Sequence, residues 1–98
     1  METMYSWNED KRQANVRKHG LDFLRAGLVL ESPYRVDVVS DRAGEHRIQS
    51  FAYVLEVLTV LTVVHLPSDP PRIISFRRAN RREREAYHAW LEAENDDT

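Results

Sequence analysis

The stretch RIQSFAYVLEVLTVLTVVHL, residues 47–66, decides the fold class of this 98-residue chain. It contains no Gly, Pro, Asn or Asp, and its Val, Ile, Leu, Phe and Tyr residues are typical of buried strands. Twenty residues exceed the length of one ordinary strand, so we expect a hairpin turn near Leu55 and Glu56. Its most apolar part, from Phe51 to Leu66, is too short and too rich in β-branched residues to be a membrane-spanning helix.

Shorter strands are predicted on both sides of this hairpin. Apolar and polar residues alternate from Tyr34 to Val38, and DRAG at 41–44 is typical of a turn. PSDPP at 67–71 forms another turn, after which a last strand covers residues 72–77. These patterns together predict an antiparallel sheet.

Alternation along the last strand assigns its side chains to two faces. Ile74 and Phe76 are expected to face the core, while Ser75 and Arg77 lie on the other face together with Ile73. Arg47 begins a neighbouring strand and could converge with Arg77, although position alone favours a plain surface charge.

Two helices are predicted before the sheet. Asn8 caps the first, which carries acidic residues in its first turn and basic residues in its last, and Gly20 ends it. A second, short helix begins at Asp22 and ends at the Ser32–Pro33 pair.

The C-terminal helix begins after Asn80, and Glu83 completes a capping box with it. Tyr87, Trp90 and Leu91 share one apolar face and are expected to pack on the sheet. We therefore predict one α+β domain over residues 1–98, with two N-terminal helices, an antiparallel sheet of three to four strands and a C-terminal helix.

The Arg residues indicate an anionic partner despite the formal net charge of −2. Six of them lie between residues 72 and 84. Arg81, Arg82 and Arg84 occupy the first turn of the last helix, where the helix dipole is already positive, so they do not favour stability. A helix N-terminus with several Arg residues suits phosphate binding, although a solvated charged face is the alternative.

Several classes of site are excluded or not expected. The chain has no Cys, which excludes disulfides, thiolate metal sites and a Cys nucleophile, and is compatible with a reducing compartment. Its N-terminus lacks the apolar segment of a secretory signal. No His pair has metal-binding spacing, so we expect a cytoplasmic protein without metal, cofactor or membrane contact.

Four short elements occur along the chain in a specific order. They are WNEDK at 7–11, continued by Asn15 and RKHGLDF at 17–23; GEHR at 44–47; RIISFRRA at 72–79; and the ending Arg82-Glu83-Arg84 with Tyr87. In this order they resemble the elements of the BrnT family of bacterial toxins, and the likeness covers residues 7–87. Ala52, where the family is expected to have Gly, and Phe76, in place of a small residue, depart from that pattern.

The resemblance implies a RelE-like fold and a metal-independent ribonuclease toxin that halts translation. It also implies a BrnA-like ribbon-helix-helix antitoxin that neutralises the toxin, and contact with operator DNA only through that antitoxin. Cleavage without metal uses the RNA 2′-hydroxyl as nucleophile and requires a base, an acid and a cation at the phosphate.

Joined to the charge pattern, the resemblance indicates candidate site residues. Arg47 and Arg77 are assigned to the phosphate, and Lys18 or His19 to proton transfer or charge stabilisation, although a His at a helix C-terminus is also a simple dipole partner. The candidate RNA-binding residues are Arg72, Ser75, Arg78, Arg81, Arg82 and Tyr87. A non-catalytic nucleic-acid-binding module and a protein-interaction domain remain the alternatives.

Overall fold

The computed structural model describes residues 4–95, which form an α+β fold with one sheet and a C-terminal helix. The elements are β1 (Ser6–Trp7), α1 (Glu9–His19), a 3₁₀ turn (Phe23–Arg25), α2 (Gly27–Leu30), β2 (Val36–Arg42), β3 (Glu45–Val54), β4 (Thr59–Leu66), β5 (Arg72–Arg78) and α3 (Arg81–Asn95). The strand order is β1-β5-β4-β3-β2, antiparallel except for the parallel β1–β5 pair. No helix in this part of the chain has the length and apolar character needed to cross a membrane.

The predicted sheet of three to four strands is wrong, because residues 4–95 contribute five. The extra strand, β1, pairs Ser6 with Arg72 and Trp7 with Ile73. Two residues are too few to produce a period in the sequence, so β1 is visible only once β5 supplies its partner. The long apolar stretch does fold as a hairpin that turns between Val54 and Thr59, which confirms that expectation.

The remaining turns and caps differ from the predictions only in detail. Asn8 accepts a hydrogen bond from the Lys11 backbone, and Gly20 ends α1 at φ 72°, as expected. The first hairpin turn is shorter than predicted, since only Ala43 and Gly44 separate β2 from β3. Both have positive φ, 53° and 79°, as a type I′ turn requires.

The predicted second helix is instead a 3₁₀ turn followed by the four residues of α2. Asp22 caps this segment as expected, by accepting a hydrogen bond from the Leu24 backbone at 3.0 Å. The tighter turn places Phe23 and Ala26 three residues apart on the same side, and both are fully buried against the sheet.

Apolar side chains cover both faces of the sheet. On one face the segment from Phe23 to Leu30 packs on β3, β4 and β5, including Ala52 and Phe76, which are both fully buried. On the other face Tyr87 of α3 packs on Phe51 and Val60. The two departures from the BrnT pattern are therefore core residues in this fold.

The predicted alternation in β5 is wrong at Ile73 and Ile74. His65 pairs with Ile73 but Val64 pairs with Ser75, so Ile74 is an extra residue opposite a regular strand. This bulge shifts the pattern by one position, and Ile73 rather than Ile74 joins Phe76 in the core with 1% exposure.

Candidate active site and RNA-binding face

One end of the α3 side of the sheet is left uncovered by the helix. Across the sheet, Arg77 opposes Thr62 and Thr62 opposes Phe51, where Trp90 of α3 packs on the Phe51 ring. Side chains directly opposite each other on paired strands share a face, so the register shows which residues continue this face beyond the row of Arg77. These residues are partly exposed. We call this surface the open face; its residues are Arg47, Gln49, Val64, Leu66, Arg72, Ser75 and Arg77.

Arg77 lies at the border between the open face and α3, where Glu83 holds it in a fork. Nη1 donates to Glu83 Oε1 at 2.7 Å, and Nη2 donates to Oε2 at 2.9 Å. Nη1 also donates to the backbone oxygen of Arg78 at 3.2 Å. Arg carries five N–H groups, so Nε and one hydrogen of Nη2 are left without a partner among residues 4–95. These two donors form the side edge of the guanidinium, which suits two phosphate oxygens.

Glu83 connects three elements at this point. Besides Arg77 of β5, it accepts hydrogen bonds from the Asn80 backbone at 2.8 Å and from Gln49 Nε2 of β3 at 3.0 Å. These contacts, with the Arg77 hydrogen bonds as the largest cause, lower the pKa of Glu83 to about 2. The carboxylate therefore stays charged and keeps Arg77 in one orientation.

Helix α1 places Lys18 and His19 beside β5. The Asn15 side chain donates to the Phe76 backbone oxygen at 2.7 Å and accepts from the Phe76 backbone nitrogen at 3.1 Å, as a neighbouring strand would. Because Asn15 fixes the helix in this way, Lys18 and His19 line a cavity of about 240 Å³ together with Ser75.

The surroundings of His19 favour its neutral form. Partial burial lowers its pKa below the ordinary 6.5, and the positive charges of Lys18 and Arg77 lower it further. A neutral imidazole can accept a proton near pH 7, as a general base must. The structure thus brings Lys18, His19, Ser75 and Arg77 into one region.

Arg47 does not join this region. Strand β4 lies between β3 and β5, and the row of Arg77 crosses β3 at Phe51, four residues from Arg47. Four residues correspond to about 13 Å along a strand, so the two guanidiniums are not placed to share one phosphate as the sequence suggested. Arg47 instead binds Glu45, with Nε 3.0 Å from its carboxylate, near the same end of the open face as Arg72.

The other predicted RNA-binding residues occupy different surroundings. Arg78 and Arg82 are exposed, and neither forms an ion pair within residues 4–95. Arg81 pairs with Glu85 at 3.1 Å on the exposed side of α3. Tyr87 is fully buried, which leaves it no surface for stacking on a base, so the predicted RNA-binding role of Tyr87 does not fit the fold.

Three residues that connect the site were not assigned to it from the sequence. Asn15 belongs to the first BrnT-like element, and Glu83 was interpreted as part of a capping box and of the last BrnT-like element. Gln49 carried no sequence signal, because its contact with Glu83 depends on how β3 and α3 pack. Across the described residues, no group of three His, Cys, Asp or Glu side chains is arranged to hold a metal ion.

Comparison with known families identifies most of the chain. The family model described as the ribonuclease toxin, BrnT, of a type II toxin–antitoxin system matches residues 7–83. The matched region contains Lys18, His19, Arg77 and Glu83. A search of curated proteins finds none that matches this sequence.

Proposed function

The chain belongs to the BrnT family of ribonuclease toxins from type II toxin–antitoxin systems, and we propose that it cuts RNA beside Arg77 without a metal ion. The observation that carries this proposal is the cavity beside β5 that Lys18 and His19 line, next to the part of that strand where Glu83 fixes the orientation of Arg77. A base and an oriented cation are two of the groups that this chemistry requires.

His19 is the proposed general base. It takes the proton of the RNA 2′-hydroxyl, and the resulting oxygen attacks the adjacent phosphorus. The bond from phosphorus to the 5′-oxygen breaks, which leaves a 2′,3′-cyclic phosphate on one product. Lys18, in the same cavity, donates a proton to the departing 5′-oxygen, so that the other product ends in a 5′-hydroxyl.

Arg77 is the proposed stabiliser of the phosphate. The free side edge of its guanidinium, Nε and one Nη2 hydrogen, donates to two phosphate oxygens as negative charge develops on them. Glu83 binds the adjacent edge, formed by Nη1 and Nη2, and holds the group in one orientation. Ser75 lies two residues before Arg77 on the same face of β5, and it is placed to contact the same segment of RNA.

The remaining cations of this region are proposed to bind the RNA backbone. Arg72 and Arg47 lie toward the far end of the open face, while Arg78, Arg81 and Arg82 lie where β5 leads into α3. Phosphate contacts of this kind supply affinity and position without reading the bases.

In the cell, we propose a cytoplasmic toxin whose RNA cleavage halts translation. The proposed partner is a BrnA-like ribbon-helix-helix antitoxin, which neutralises the toxin and carries it to operator DNA. These statements rest on the family to which the chain belongs.

The test is incubation of the purified chain with a long RNA, with and without EDTA. We expect cleavage in both conditions, loss of cleavage in Arg77→Ala, and little change in Arg25→Ala, whose exposed guanidinium pairs with Glu56 and has no proposed role in RNA binding. RNA that is bound but stays intact would contradict the proposal and favour a nucleic-acid-binding module.

A further inference from the structure

An apolar groove lies at the end of the sheet where the β3–β4 hairpin turns. Arg47 and Arg72 lie at the other end of the same strands. Its volume is about 680 Å³. Its walls come from α2 and the following loop, from the β3–β4 hairpin and from α3. The apolar lining includes Leu28, Tyr34, Tyr53, Leu55 and Leu91.

Large apolar side chains around this groove are exposed to water. Tyr34 is 65% exposed and Leu55 is 78% exposed. Next to Leu55 in the hairpin turn, Leu58 is 73% exposed and adopts a φ of 54°, a left-handed conformation that costs a Leu residue about 1 kcal/mol. A clustered apolar surface on a strained turn is typical of a protein interaction site.

The groove is already shaped in the free chain. The Tyr87 hydroxyl accepts a hydrogen bond from the Tyr53 backbone at 3.2 Å and donates one to the Tyr34 backbone oxygen at 2.9 Å. These bonds tie the loop, β3 and α3 together across the base of the groove. A partner therefore does not need to order these walls when it binds, which favours affinity.

The charges at the groove oppose those of the open face. Glu31 and Glu56 line it, and α3 continues beyond Leu91 with the exposed Glu92 and Glu94. Glu56 pairs with Arg25 and Glu31 accepts a hydrogen bond from Tyr5, but both carboxylates remain exposed. An apolar surface bordered by carboxylates repels RNA and suits a protein segment with apolar and basic side chains.

We propose that this groove is the docking surface of the protein antitoxin that a type II system supplies. An amphipathic segment of the antitoxin places its apolar side chains against Tyr34 and Leu55, with a Lys or Arg side chain near Glu31 or Glu56. The inference rests on the family to which the chain belongs and not on the proposed catalytic roles. Aromatic and apolar anchors of this kind commonly dominate interface affinity.

The test compares Leu55→Asp with Val39→Asp, which adds the same charge at another exposed apolar residue, on edge strand β2. Each tagged variant is co-expressed with the antitoxin encoded in its own operon, and affinity is measured on the separated proteins. We expect Leu55→Asp to weaken binding at least tenfold and Val39→Asp to change it less than twofold. Glu56→Lys, which opposes the basic side chain, should also weaken binding.

Other outcomes would overturn this inference. Equal binding by wild type and Leu55→Asp, or no binding by the wild-type chain, would show that the groove does not hold the antitoxin. Self-association of the free chain that is lost in Leu55→Asp would assign the groove to a second copy instead. RNA cleavage by both Asp variants should equal that of the wild type. If neither the wild type nor the variants cleave RNA, the proposed function is wrong, but the inference about antitoxin binding is not affected.

Discussion

Replacing Glu83 with Gln should disturb the orientation of Arg77 and leave the rest of the fold unchanged. The carboxylate accepts four hydrogen bonds, two from Arg77, one from Gln49 and one from the Asn80 backbone. Gln is also accepted at this position of a capping box, so α3 should still begin at its present residue. A Gln amide nitrogen in place of Oε2, however, would face the donors of Gln49 and Arg77, and the fork would be lost.

The expected cost in stability is small and the expected cost in catalysis is larger. The Arg77 and Glu83 side chains are 29% and 19% exposed, so we expect the free energy of unfolding to fall by about 1.5 kcal/mol, the low end for a charged hydrogen bond. A guanidinium displaced by about 1 Å from the reacting phosphate should lower kcat by roughly 10- to 100-fold. Since Arg77 would lose its counter-charge, KM for RNA should not rise.

The assay is steady-state cleavage of a short RNA by wild type, Glu83→Gln and Glu85→Gln. The control residue, Glu85, is 66% exposed and binds Arg81, so its replacement should change kcat less than twofold. A folded Glu83→Gln protein that keeps the wild-type kcat would refute the idea that Glu83 positions Arg77. A rise in KM with unchanged kcat would indicate a role in binding instead.

Three further predictions follow from other contacts. Asn15→Ala should lower the free energy of unfolding by about 2–4 kcal/mol, measured by chemical denaturation, because the 7%-exposed side chain makes both hydrogen bonds to the Phe76 backbone. The fold lowers the pKa of His19 below 6.5, so the stability that neutral His19 contributes should be lost as pH falls below 6.5. Because the charge of Arg77 is one cause of this shift, NMR titration of Arg77→Ala should show a higher His19 pKa than in the wild type. An unchanged His19 pKa in that variant would contradict their proximity. Asn adopts a φ of 54° more readily than Leu, so Leu58→Asn should raise the midpoint of thermal unfolding. A lower midpoint would argue against strain in the turn.

Local signals were sufficient for the helix ends and most of the strands. Asn8, Gly20 and the Asn80–Glu83 capping box act within one helical turn, so the residues that carry the signal are next to their partners in sequence. The central hairpin follows from the length of its apolar stretch alone. The same locality explains why β1 escaped prediction, since its only signal is a parallel partner about 65 residues later.

The site depended on information that the sequence does not carry directly. Arg47 and Arg77 share a face, as expected, but strand order places β4 between them and the register separates them along the sheet. The bulge at Ile74 also shifts which side chains of β5 face the core. Gln49, Glu83 and Asn15 become part of the site only through packing between elements that are distant in sequence.

The most direct test of the central claim is an analysis of the product ends after cleavage of a short RNA in EDTA. The account predicts a 2′,3′-cyclic phosphate and a 5′-hydroxyl, no cleavage where the substrate carries a 2′-deoxy sugar at the cut position, and no products with Arg77→Ala. Cleavage of the deoxy-substituted position, or products that appear only when a divalent metal is added, would contradict it.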